Sequence, residues 1–478
     1  MDDLTQRALD TAVQQGASFA DVRIVRRAEE GIAVKSGRVE AVALGESEGF
    51  GIRALVDGAW GFAASNRLDA AEADRVAAEA VRIARASALA HRRPVELDDR
   101  PPARGSYRTP LQEDPFTLPM ERKVADLLAA DAAMRSVQGV AFSEARYDAQ
   151  REWKTYAASD GSLVEQELTH VTAGIEANAV DGDELQRRSY PDSGQAAGYE
   201  WVRGLDLAGN AERVASEAVE LLSAPQCPSM RTTIVLHPSQ LYMQVHESCG
   251  HPTELDRVFG TEASYAGTSF LTTDKLGSFR YGSELIDIVA DATAPGGMGT
   301  FGWDDEGVAA QRVPLIQGGV LVGYLSSRET APRIGRRSGG AMRADGWNRL
   351  PLIRMTNINL LPREGMSLED IVADTDEGLY LETNRSWSID DRRLNFQFAT
   401  EVGREIKGGK LGRLVKNPTY TGITYEFWRS CDAVADARSY VLYGTPNCGK
   451  GEPGQTGHVG HGASGARFRD VQVGVGKW

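Results

Sequence analysis

Cysteine is scarce in this chain, with four among 478 residues: Cys227, Cys249, Cys431 and Cys448. So sparse a set makes no disulfide framework and points to a reducing compartment, the cytoplasm. No apolar run approaches the roughly 20 residues that span a bilayer. The opening MDDLTQRALD lacks the basic and apolar regions of a signal peptide, so no membrane role is expected. Basic stripes are missing too, since pairs such as Arg336-Arg337 and Arg392-Arg393 are short. With a formal net charge of -14, a nucleic-acid partner is not expected either, because phosphate binding needs a continuous basic surface.

What is present is a globular composition, 41% apolar and 25% charged, with 51 glycines that suggest many turns and much strand. The length predicts two or three domains with a substantial core. Residues 4–16 read as a short helix. The segments DVRIVRR, GIAVKSG, RVEAVALGES, GFGIRALVDG and AWGFAAS follow, punctuated by glycine as in an antiparallel meander. Asn66 is a candidate N-cap for an Ala-rich helix over about Asp69–Ala88. A polar linker runs from His91 to about Pro115.

The same order then recurs. Met120–Arg135 has a helical pattern, strand-like runs follow with a hairpin signal at Ser159-Asp160-Gly161, and Leu207–Ser223 is a second amphipathic helix. The fold class expected is α+β. An N-terminal domain (residues 1–224) holds two helix–meander–helix modules, about 1–90 and 118–224. A β-rich C-terminal domain (residues 225–478) begins with the strand TTIVLH and a helix over Ser239–Cys249. Few helical patterns follow; Ser367–Val372 is one.

That second domain carries HESCGHPTELD, from His246 to Asp256. Two imidazoles and a carboxylate within six residues supply what a catalytic zinc site needs: neutral nitrogen ligands and a base beside the water that the metal activates. The histidines stand at i and i+5, about 140° apart on a regular helix. A π-type turn or a helix break is needed to bring them to one ion. Gly250 and Pro252 flank His251, and Pro252 disfavours the α region there, so the helix is expected to distort or end near Gly250. Catalytic zinc usually takes three protein ligands. Candidates for the third are Cys249, Glu254, Asp256, Cys448, His458 and His461. Cys249 ranks low because it crowds its neighbours, and Lys450 favours a Cys448 thiolate.

These residues resemble the TldD/PmbA family of metallopeptidases, and in particular its catalytic TldD branch. HESCGHPTELD is similar to the branch motif HExxGHxxExD. FGWDDEGVAA (Phe301–Ala310), MRADGWNRLPLIRMTN (Met342–Asn357) and NCGKGEPGQ (Asn447–Gln455) resemble three further family segments in the same order. The resemblance covers essentially the whole chain. It implies one Zn2+ per catalytic chain, held by His246, His251 and Cys448, with Glu247 as general base. It also implies an unstructured peptide substrate that pairs with strands near the metal. A TldE-type subunit is the implied partner in a heterodimer, a homodimer being the other arrangement. Pro252 and the His-rich ending GHVGHGASG depart from the family pattern.

Glu254 and Asp256 either orient a ligating histidine or are surface charge. Arg343, Arg354, Asn357, His458 and His461 are candidates for contact with substrate, and a structural role competes for each. Asp304, Asp305 and Glu306 either orient motif residues, bind a substrate amine or build a turn. The expected activity is a zinc-dependent peptidase for short or unfolded peptides. A zinc amidohydrolase for a small non-peptide amide, and a binding subunit whose zinc only joins two segments, are the alternatives.

Overall fold

The computed structural model describes residues 2–90, 93–265, 267–452 and 454–474. His91 and Arg92 of the expected linker, Pro453 of NCGKGEPGQ and residues 475–478 of the C-terminal domain lie outside the described residues.

The chain opens with α1 (Asp2–Gln14), then β1 (Phe19–Lys35), β2 (Arg38–Val56), β3 (Ala59–Ser65) and α2 (Ala70–Ala88). The five glycine-punctuated segments are therefore three strands, two of them long. Gly31, Gly49 and Gly51 sit inside strands, where they admit close neighbours instead of turning the chain. A Cβ on Gly49 would meet the Trp347 ring at 2.4 Å, and one on Gly51 the Trp347 carbonyl at 2.4 Å. The N-cap of α2 is Asp69, which accepts from Glu72 N–H, and not Asn66. Val76, Ala77, Ala80, Val81 and Ala84 recur at helical spacing and are buried against the strands.

The second module holds β4 (Arg104–Arg108), α3 (Met120–Arg135), β5 (Val140–Ala158), β6 (Leu163–Asp181), β7 (Glu184–Gln195), α4 (Tyr199–Gly204) and α5 (Leu207–Ser223). β4 lies in the stretch read as linker. It pairs parallel with β6, which its composition alone does not signal. The two modules are not separate sheets. β1 pairs antiparallel with β5 from Asp21↔Ala158 to Lys35↔Glu144. Among the described residues this makes one seven-stranded sheet ordered β3-β2-β1-β5-β6-β4, with β7 also on β6. α1 and α2 share a core over one half, and α3 and α5 over the other.

Beyond Ala224 come β8 (Met230–Leu236), α6 (Pro238–Val245) and α7 (Leu255–Val258), followed by β9 (Ile288–Asp291), β10 (Arg312–Gln317) and β11 (Val320–Leu321). Next are β12 (Met342–Arg343), β13 (Leu352–Ile353), β14 (Asn357–Leu360), α8 (Leu368–Ala373), β15 (Glu377–Ile389), β16 (Asn395–Lys407) and β17 (Lys410–Val415). The chain ends with β18 (Thr419–Ile423), α9 (Thr424–Arg429), β19 (Cys431–Val434), β20 (Val441–Lys450), β21 (Gln455–Ala463) and β22 (Ala466–Val473). Ser367 caps α8 in a capping box with Asp370.

β15, β8, β22, β18 and β16 pair in that order and close through β15–β16 into a barrel. A second sheet is ordered β11-β10-β9-β14-β21-β20. α6 packs against β15 of the barrel and against β14, β20 and β21 of the second sheet. Its buried face shares one core with Leu381, Phe398, Tyr420, Ile358 and Val459. The motif helix is thereby wedged between two sheets. The architecture is mixed α+β and β-rich. Among the described residues no helix is long and apolar enough to cross a membrane.

Candidate metal centre

His237 caps α6, and Pro238 stands at its first turn, where a missing N–H costs nothing. The helix then widens. Residues His246–Gly250 form a π-turn, closed by the His251 N–H bonding to the His246 carbonyl. The extra residue per turn cancels the offset of the i, i+5 spacing and sets both rings on one side. The two ring centroids are 4.9 Å apart at 82°.

The helix thus distorts up to Gly250 as expected, but Pro252 does not push His251 out of the α region. His251 keeps helical angles, φ -54 and ψ -42. Pro252 instead sits in the first turn of a 3-10 helix over His251–Thr253, where its missing donor is harmless.

The widened turn is pinned by side chains from far along the chain. Trp428 Nε1 donates to Ser248 Oγ at 2.9 Å, and the Tyr281 hydroxyl donates to the Ser248 carbonyl. Cys249 Sγ lies 3.4 Å from the Tyr281 hydroxyl, within the core. Thr253 Oγ1 donates to the Gly250 carbonyl at 2.8 Å and closes the segment.

Cys448 arrives on β20. Thr445 pairs with Val459 and Cys448 with Gly457, so β20 carries one extra residue: a bulge that re-aims the side chains beyond it. Cys448 Sγ stands 3.6 Å from His246 Nε2 and 3.8 Å from His251 Nε2. A tetrahedral zinc, with Zn–N near 2.0–2.1 Å and Zn–S near 2.3 Å, needs nitrogen and sulfur about 3.6 Å apart. The three ligand atoms lie within 4.8 Å of one another, and all three residues are buried. This donor set fits a zinc ion.

The outward nitrogens of both rings are engaged. His246 Nδ1 pairs with His461 Nε2 at 2.7 Å, and His251 Nδ1 with Glu254 Oε2 at 2.9 Å. Such contacts fix the tautomer and aim each Nε2 inward. His461 is therefore a neighbour of a ligand position. Burial lowers the pKa of His246 and of His251, which keeps them neutral as a metal requires. Burial alone would push the Cys448 thiol up, but Arg354 and His251 outweigh it and bring the thiol below its ordinary value. Lys450 points elsewhere, 3.4 Å from Glu254 Oε2 and 2.8 Å from Asp256 Oδ1. The charge favouring the thiolate thus comes from Arg354, whose Nη2 donates to the Cys448 carbonyl. Burial works against the Glu254 anion; Lys450, His251 and Arg257 overcome it and hold this carboxyl well below the usual range.

Glu247 Oε1 is 3.9 Å from His246 Nε2, on the side of the ligand cluster. Its Oε2 accepts from Arg393 Nη1 at 2.7 Å. Sequence reading did not single out Arg393 as a site residue, and no local spacing links it to Glu247. Arg343 donates to the carbonyls of His458 and Met355, and Arg354 to those of Cys448 and Gln455. Arg343, Arg354 and His458 line a cavity between β5–β6 and β12–β21, which also holds His170. Asn357 lies elsewhere: its amide donates to the Asp291 carbonyl and Thr300 Oγ1 and accepts from Gly299 N–H, joining segments of the second sheet.

Asp304, Asp305 and Glu306 do turn chemistry and cross-linking. Asp304 accepts from the backbone of Glu306, Val308 and Met342. Asp305 meets Lys154 at 2.8 Å, and Glu306 meets Arg53 at 3.2 Å, fastening the loop to the long sheet.

Three family profiles match in order: the PmbA/TldA metallopeptidase domain 1 over residues 20–84, the central domain over 113–224 and the C-terminal domain over 229–474. A metalloprotease of Methanothermobacter thermautotrophicus is 30% identical over 463 residues, 97% of this chain and 96% of that protein. A metalloprotease of Methanocaldococcus jannaschii is 29% identical over 447 residues, 93% of this chain and 94% of that one. A zinc metalloprotease TldD homolog of Saccharolobus solfataricus is 22% identical over 474 residues, 97% and 98% of the two chains. In fold, the chain is similar to the crystal structure of TldE from Thermococcus kodakarensis, with TM-score 0.73, 16% identity and coverage of 99% and 100%. The chain belongs to the PmbA/TldD family and is a metallopeptidase.

Proposed function

We propose that the protein is a zinc-dependent peptidase that cleaves peptide bonds in short or unfolded peptides. His246, His251 and Cys448 hold the ion, and Glu247 acts as general base. The observation that carries this reading is the cluster of two Nε2 atoms and one Sγ at zinc-ligand spacing, with both Nδ1 atoms engaged by His461 and Glu254. When bound, zinc supplies Lewis acidity: it polarises a carbonyl and lowers the pKa of a water it holds to roughly 7.

The remaining work falls to side chains. Glu247 takes the proton of the attacking water and returns it to the leaving amine. Arg393 holds one carboxylate oxygen of Glu247 and leaves the other facing the ligand cluster. Main-chain pairing of an extended peptide with a strand near the metal gives affinity that reads little side-chain identity. A TldE-type subunit is the proposed partner, with a homodimer as the alternative. Residues 1–224 and 225–478 are the proposed domains.

The test is Glu247→Gln. Zinc content stays at one per chain while cleavage of an unstructured peptide falls by about 10²–10⁴, the usual worth of a general base. Undiminished cleavage would remove Glu247 from the role. Cleavage of small amides but of no peptide would favour the amidohydrolase. A fold held by zinc with no hydrolysis of either would favour the binding subunit. Co-purification followed by mass measurement reads the partner.

A further inference from the structure

Arg343 and Arg354 form no ion pair, among the described residues, with any carboxylate. Arg354 is 3% exposed. Each guanidinium has five N–H donors. The bonds each makes go to two backbone carbonyls, and both Nε atoms are buried and unpartnered. Across the same cavity stands His170, 9% exposed, with Nδ1 2.8 Å from His458 Nδ1 and Nε2 buried and unpartnered. The desolvation of Arg343 and the repulsion of Arg354 beside it push the Arg343 pKa down to about 10. Two cations, Arg354 buried and Arg343 half-buried, keep spare donors and touch no carboxylate, which is costly unless a ligand completes them.

The acids that line the cavity are already used. Glu152 sits 2.9 Å from Arg27 and 3.0 Å from Lys154. Asp345 is 3.2 Å from Arg27 and accepts from Thr456 N–H at 2.9 Å. Glu29 is at the rim, with a half-exposed side chain. Among the described residues, Arg343 and Arg354 are left without a carboxylate partner, Arg354 having only the Cys448 thiol to act on.

The cavity adjoins the metal cluster. Arg354 lines it and also donates to the Cys448 carbonyl. Gly457 lines it and pairs across the strands with Cys448. A Cβ on Gly457 would lie 2.8 Å from Arg354 Nη2, so glycine there is what lets the guanidinium lie on the strand. The volume, about 310 Å³, is at the low end of the roughly 300–1,000 Å³ typical of ligand pockets. It suits the last residue or a side chain of a peptide, not a length of extended chain.

We propose that this cavity is a carboxylate-recognition subsite in which Arg343 and Arg354, with His170 opposite, bind an anionic group of the substrate. The inference rests on the peptidase reading and adds a specificity to it. The carboxylate is either a peptide's C-terminus or an Asp or Glu side chain. The planar fork of a guanidinium matches either one.

The zinc-loaded protein, with any co-purifying partner, is given two pairs of peptides. One pair differs only in a C-terminal free acid or amide and holds no acidic side chain. The other is amidated and differs in Glu or Gln at single positions. Either anionic member is expected to be favoured at least tenfold in kcat/KM, carried by KM, and which one identifies the source. Arg343→Gln abolishes the preference, Arg343→Lys restores part of it, and both variants keep zinc content and melting temperature near those of the parent. Equal kcat/KM within both pairs would overturn the subsite. If no peptide is cleaved, calorimetric binding of the same pairs to zinc-loaded Glu247→Gln protein decides it: tighter binding of an anionic member upholds the subsite without the peptidase reading, and equal binding ends it.

Discussion

Arg393 Nη1 reaches Glu247 Oε2 across 2.7 Å, from a hairpin between β15 and β16 where its backbone is left-handed, φ 63°. Both side chains are largely buried, at 14% and 6% exposure. A pair of this kind fixes where the carboxylate points, and losing one partner strands the other charge. Arg393→Ala is expected to lower kcat by about tenfold to a hundredfold, part of the roughly 10²–10⁴ that a general base contributes. Arg393→Gly loses the same contact but relieves the left-handed backbone, a strain of about 1 kcal/mol for a residue with a Cβ. The glycine variant should therefore melt higher than the alanine variant and be equally slow. Full activity in both would detach Arg393 from the reaction.

Zinc affinity should fall in a graded order. Cys448→Ser replaces a thiolate with a poor ligand and should release zinc to a chelator that the parent resists. His461→Phe keeps a ring of similar size but leaves His246 Nδ1 without its acceptor. Its cost should be the roughly 10–100-fold typical of a lost partner behind a ligand. Chelator competition measures both. Parent-like affinity in Cys448→Ser would send the search for the third ligand back to its histidine and carboxylate neighbours.

His458 is half-buried against His170, and desolvation, with Arg27 and Arg343 nearby, pushes its pKa down to about 3. The unfolded chain takes a proton there near pH 6.5 and the folded chain does not. More protons on the unfolded side mean stability that is present above 6.5 and is lost as pH falls. His458→Gln removes this one liability. Relative to the parent it should gain about 1.4 kcal/mol for each pH unit below 6.5. Urea midpoints of chelated protein between pH 7.5 and 5 read the difference. A difference that stays flat with pH would show that His458 titrates alike in both states.

The parts of this site that the sequence announces are local. The six residues from His246 to His251 hold two of the three proposed ligands, the proposed base and the need for a distorted turn, because helical geometry alone forbids the pairing otherwise. The limits of Leu207–Ser223 are equally plain, since its Asp206 cap and 3.6-residue periodicity are local too. What stays hidden is set by contacts between distant segments. Nothing near Arg393 marks it for Glu247, 146 positions away. The bulge that turns Cys448 inward depends on pairing with β21. β4 is a strand only because β6 offers an edge. Gly31 and Gly49 read as turns but serve as points of close approach, a difference that only the neighbours Asp148 and Trp347 decide.

Gly250 tests the widened turn itself. It ends the π segment directly before His251, and a Cβ built on it would lie 2.0 Å from Sδ of Met355, which is fully buried. Met355 lies fully buried in the main core, so its side chain can move aside only by displacing other core side chains. Gly250→Ala must then shift the helix against β14 or reshape the turn, a strain of about 1–3 kcal/mol. Either response moves His251 relative to His246. The expected result is a modest fall in melting temperature and a much larger fall in zinc affinity and kcat. Gly250→Ala with Met355→Ala, which opens the space, should recover affinity more than it recovers stability. If the single variant binds zinc as the parent does, the turn has slack enough that the glycine is not what holds the two rings together.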